Sequence, residues 1–119
     1  MQLRGVHHIS INVSDLDDTL TFYTNTVGLE RLPRPDGIGE GAWLGCPDGR
    51  EVHLLRRDNV PDNLGQHYAF EVADVEVTKK DLVAAGRKAS DINEIDGICR
   101  QVFCRDPSGN LVEFNQPLG

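Results

Sequence analysis

No stretch of this sequence approaches the roughly 18 consecutive apolar residues that cross a bilayer, and the opening MQLRGVHH lacks the apolar core of a secretory signal. No membrane partner is expected, and a cytoplasmic location is. Basic residues are scarce: 12 Lys and Arg stand against 19 Asp and Glu, for a formal net charge of -7. A phosphate backbone would be repelled overall, and no basic stripe interleaved with aromatics offsets that, so nucleic acid is not expected as a partner. Cysteine is sparse as well. Cys46, Cys99 and Cys104 are odd in number and show no C-x-x-C spacing, which argues against a disulfide framework or a zinc ribbon and for reduced, partly buried thiols.

What is present is ordinary in bulk: 119 residues, 39% hydrophobic and 26% charged, read as one soluble domain. A core of that size leaves much surface over, so completion by a second copy, a homodimer, is expected. The informative feature is an internal duplication. HISINVSDL (8–16) aligns without gaps on HYAFEVADV (67–75), matching His8 with His67, Val13 with Val72 and Asp15 with Asp74 at an offset of 59. PDGREVHLL (47–55) aligns on PSGNLVEFN (107–115) at an offset of 60, which sets His53 opposite Glu113.

Both halves follow one plan. Residues 7–13 alternate with a period of two, placing His8, Ser10 and Asn12 on one strand face and His7, Ile9, Ile11 and Val13 on the other. Ser14 resembles an N-cap, and Leu16, Leu20, Tyr23 and Val27 recur at helical spacing before Gly28 supplies a stop. GAWLGC and REVHLL read as strands joined by a PDG turn. The second half repeats the order: a strand at 67–72, a helix from about Val75 to Ala85 ended by Gly86, and strands at 99–104 and 110–115 around DPSG. Further strands are expected near 29–33 and 87–92, giving βαβββ twice in an α+β chain, with module 1 about 3–57, module 2 about 65–117 and a linker in RDNVPDNLG (57–65).

Glu113, flanked by Val112 and Phe114, is a carboxylate inside an apolar run, where an unpaired charge is costly. A divalent cation explains it economically. Coordination would neutralise the carboxylate, and His8, His67 and His53 stand at related positions of the two repeats to complete the set. Mixed imidazole and carboxylate ligation without thiolate favours a first-row metal over calcium or a Cys-type zinc site. Three or four protein ligands also leave a position open for substrate. His7 is read as a surface or interface residue and Glu71 as solvated. Trp43, Tyr68, Phe70 and Phe103 are read as core or dimer contacts, although the strands of Trp43 and Phe103 are expected to border the site.

The segments HHISINVSDLDDTLTFYTNTVGLE, HYAFEVADVE and RQVFCRDPSGNLVEFNQP resemble the vicinal oxygen chelate (VOC) superfamily, which includes glyoxalase I, fosfomycin-resistance enzymes, extradiol dioxygenases and bleomycin-binding proteins. The resemblance implies paired βαβββ modules forming an open, cup-shaped mixed sheet around a divalent ion (Zn, Ni, Co, Mn or Fe), with two chains cooperating. By motif position it carries metal ligation to His8, His67 and Glu113. The remaining ligand position, a glutamate in bacterial glyoxalase I, falls on His53. The implied activity is that of a lyase or isomerase like lactoylglutathione lyase, with vicinal oxygens of a small substrate on the ion, Glu113 shuttling the proton beside the carbonyl and His53 as alternative base. Two other readings are a ferrous ring-cleaving dioxygenase, with His53 as proton donor, and a non-catalytic protein that binds an antibiotic or metabolite. The chain stops soon after its last strand, which makes fosfomycin thiol transfer the less expected chemistry.

Overall fold

The structure, a computed structural model, describes residues 1–59 and 65–119; most of the expected linker therefore lies outside the described residues. The chain divides into two compact units, Met1–Val60 and Pro61–Gly119. The fold is α+β, with one four-stranded mixed sheet in each unit.

In the first unit, β1 (His8–Val13) leads into α1 (Leu16–Thr21), which runs directly into a π-helical stretch, Phe22–Val27; β2 (Glu30–Leu32), β3 (Gly41–Gly45) and β4 (Glu51–Arg56) follow. The sheet order is β1-β4-β3-β2, with β1 parallel to β4 and the other pairs antiparallel. Alternation decides which face is which. Val13, Ala42, Leu44, Val52 and Leu54 are buried on one face, against which α1 packs through β4. Burying an aliphatic side chain as completely as Leu54 or Leu44 stabilises the fold by about 1.5–3 kcal/mol.

The N-cap of α1 is Asp15, one residue beyond the expected Ser14: its Oδ1 accepts from the Asp18 N–H at 3.1 Å. Asp74 caps the second helix in the same way, accepting from the N–H groups of Glu76 and Val77. A carboxylate also complements the positive end of the helix better than a hydroxyl does. The π-helical stretch was not readable from periodicity. There the Gly28 N–H donates to the Tyr23 carbonyl, five residues back, at 3.0 Å, and the Thr24 hydroxyl donates to the Leu20 carbonyl at 2.8 Å. The widened turn brings the adjacent Phe22 and Tyr23 both into the core.

The second unit repeats the plan with β5 (Tyr68–Glu71), α2 (Val75–Ala84), β6 (Asn93–Ile95), β7 (Cys99–Arg105) and β8 (Leu111–Pro117), in the order β5-β8-β7-β6. The strand expected at 87–92 forms later, at 93–95; within the expected span the backbone makes only an isolated bridge, Ala89 to Cys104. α2 packs on β7 and β8, burying Val75 and Leu82 over Val102, Val112 and Phe114. Gln116 fixes the start of α2 by accepting the Val75 N–H at 2.9 Å. The two PDG-like turns are built alike. Cys46 N–H meets the Arg50 carbonyl at 2.8 Å and Asp106 N–H meets the Asn110 carbonyl at 2.9 Å, with Gly49 and Gly109 at φ of 85° and 91° as such turns demand.

Candidate functional site

Strand register assembles the chemistry-bearing residues of each unit on the sheet face turned away from its helix. In the first unit His8 lies opposite Glu51, and His53 opposite both Ser10 and Trp43. Because β4 is flanked by β1 and β3, the His53 ring lies between two others: it stacks on His8 at 4.0 Å and 16°, and on Trp43 at 4.5 Å and 10°. His53 is only 8% exposed. Its Nε2 sits 2.9 Å from Glu51 Oε1. That hydrogen bond, with the nearby charges of His53, His7 and His8, holds the Glu51 carboxyl below its ordinary range. An ionised Glu51 can only accept, so His53 donates from Nε2. His7 precedes the strand, so alternation does not govern it. It is exposed as expected, but instead of facing away it sets Nδ1 2.9 Å from His8 Nδ1.

In the second unit Glu113 lies opposite Ala69 on one side and Phe103 on the other. It is 5% exposed. His67, just ahead of β5, reaches it with Nε2 3.0 Å from Oε1, while His67 Nδ1 donates to the Gly65 carbonyl at 2.8 Å. The Phe103 ring meets the His67 imidazole edge-on at 5.4 Å. The other carboxylate oxygen, Oε2, accepts from Gln101 Nε2 at 3.1 Å and from Asn115 Nδ2 at 2.7 Å. Burial alone would raise the Glu113 pKa, but the hydrogen bonds from Asn115, Gln101 and His67 outweigh it and hold the group below its ordinary range. The Gly65 carbonyl, opposed by partial burial and helped by Glu113, raises His67.

The structure thus brings His8 to His53 in one unit and His67 to Glu113 in the other. Among the described residues, no three His, Cys, Asp or Glu side chains are already gathered so as to hold a metal ion. The donor chemistry nonetheless fits a divalent first-row ion, with imidazole and carboxylate donors and, for Glu113, His67 as its one ion-pair partner among the described residues. Thiols are unsuited to the role: Cys104 is buried and its pKa is pushed up to about 11, and burial likewise raises Cys46.

Trp43 and Phe103, read from the sequence as core or dimer contacts on strands bordering the site, lie with their rings against His53 and His67. Their separation by the 60-residue offset of the repeat was the signal that could have placed them. Glu51, Gln101 and Asn115 were not singled out at all. Glu51 and Asn115 stand two residues from His53 and Glu113 on the same strands, hence on the same face, which was the available clue.

A family model described as the glyoxalase/bleomycin resistance protein/dioxygenase superfamily matches residues 5–114. The chain belongs to that superfamily. Glyoxylase I 4 of Arabidopsis thaliana is 27% identical, the match covering 96% of this chain and 71% of that protein. Lactoylglutathione lyase from Agrobacterium tumefaciens shares the fold with a TM-score of 0.77 at 20% identity, over 98% of this chain and 96% of the other. So does a variant of the fosfomycin resistance protein FosX from Listeria monocytogenes, complexed with Mn(II) and 1S,2S-dihydroxypropylphosphonic acid: TM-score 0.86, 19% identity, over 98% and 94% of the two chains.

Proposed function

We propose that this chain is a cytoplasmic, metal-dependent lyase or isomerase of the glyoxalase type, one domain of two modules (about 3–57 and 65–117) working as a homodimer on a small substrate with vicinal oxygens. One observation carries the reading. At repeat-equivalent positions each unit sets an imidazole beside a second metal-competent donor, His8 beside His53 and His67 beside Glu113, and the last is a buried carboxylate. His8, His53, His67 and Glu113 would hold a divalent ion, one of Zn, Ni, Co, Mn or Fe. When bound, such an ion supplies Lewis-acid polarisation of the substrate oxygens. The chain's own part is to orient and to move a proton: Glu113 takes it from the carbon beside the carbonyl, with His53, braced by Glu51, as the alternative base.

Metal analysis of the purified protein, followed by removal and replacement of the ion, is the direct test. A bound divalent ion is expected, and Glu113→Ala should lose it and lower turnover by about 100-fold or more. Full metal content and full turnover in that variant would overturn the proposal.

The His53–Glu51 hydrogen bond favours one second reading, in which His8, His67 and Glu113 hold ferrous iron and His53 serves as proton donor in ring cleavage. Ferrous content together with oxygen uptake on catechols would select it.

A further inference from the structure

We infer that Gln101 and Asn115 are positioning residues that turn Glu113 into a one-oxygen donor, reserving Oε1 for a ligand and occupying Oε2. The inference rests on the proposal that Glu113 is a metal ligand.

A carboxylate oxygen offers two lone-pair directions. On Oε2 both are taken, by Gln101 Nε2 at 3.1 Å and Asn115 Nδ2 at 2.7 Å, whereas Oε1 has only His67 Nε2 at 3.0 Å. The amide of Gln101 is itself oriented. Asn93 Nδ2 donates to Gln101 Oε1 at 2.9 Å, so the Gln101 NH2 group must face Glu113. The three amides come from three adjacent strands, β6, β7 and β8, whose register sets Asn93 opposite Gln101 and Gln101 opposite Asn115.

Among the described residues, the first unit carries no such clamp. At the 60-residue offset, Gln101 corresponds to Gly41 and Asn115 to Leu55, neither with a side-chain donor. At Gly41 a side chain is barred outright, because a Cβ there would collide with the Leu54 carbonyl. The amides therefore accompany the carboxylate and are missing where the equivalent residue is His53. A histidine has no second oxygen to restrain; a glutamate chelating through both oxygens would take two coordination positions instead of one. Holding Oε2 on protein N–H groups keeps the second position for substrate.

Co(II) binding to the whole metal-free protein tests this by two readouts, affinity by calorimetry and the visible absorption of the bound ion, which reports coordination number. The double variant Gln101→Met, Asn115→Leu removes both donors at nearly constant volume. It is expected to weaken Co(II) binding about 10–100-fold and to change the absorption spectrum as Oε2 is freed. Asn93→Ala, at an exposed position whose side chain bonds Gln101 and is not a proposed ligand, should shift both readouts the same way by less. Glu113→Ala is the reference. If it loses Co(II) while the double variant and Asn93→Ala keep wild-type affinity and spectrum, the clamp is refuted and the ligand role stands. If Glu113→Ala itself binds Co(II) like the wild type, the ligand role fails and the clamp fails with it.

Discussion

Glu113 and His67 form a pair whose two members are shifted in opposite directions, and that has a consequence for stability in the metal-free protein. A histidine raised above 6.5 contributes fully below that pH and loses the contribution as pH climbs through the raised value; a carboxyl held below 4.5 contributes fully above that pH and loses it as pH falls through the lowered value. Both contributions are complete between about pH 4.5 and 6.5. The stability difference between wild type and His67→Ala, from urea unfolding with chelator present, should be largest in that window and shrink on either side. A difference that does not vary with pH would mean the pair is uncharged. The equivalence of His67 to His8 was readable from the repeat. The tie of His67 to the Gly65 carbonyl was not, because nothing in the spacing of residues says which backbone oxygen an imidazole will reach.

At the scale of elements, the two helices begin on the same device. Asp15 and Asp74 are equivalent in the repeat, and each caps its helix through a carboxylate oxygen. Asp74→Ala should therefore cost about 1 kcal/mol, read as a lowered urea midpoint with unchanged slope, and Asp15→Ala a similar amount. An unaltered midpoint in Asp74→Ala would show that the cap is dispensable. The repeat alignment already matched these aspartates, whereas single-helix reasoning settled on Ser14, since serine is as good a cap as aspartate on propensity alone. Strand alternation correctly divided β1 into a core face and a polar face, and the turn chemistry of PDG and DPSG located both hairpins. The short edge strand β6 was misplaced. Its three residues are all exposed, so no hydrophobic alternation marked it.

For the molecule as a whole, the duplication organises both fold and chemistry. The proposed homodimer predicts twice the mass of one chain by light scattering at micromolar concentration; a monomer there would remove that part of the proposal. By itself, the sequence determined the βαβββ plan of each half and the superfamily, and it singled out His8, His53, His67 and Glu113 as the proposed donors, because periodicity, turn residues and internal repetition are local signals that survive without coordinates. Only the tertiary structure decided what surrounds those donors: Trp43 and His8 on either side of His53, Glu51 on its Nε2, and three side chains sharing the two oxygens of Glu113. Those neighbours are fixed by strand order and register, and lateral pairing between segments far apart in the chain leaves no trace in the spacing within either one.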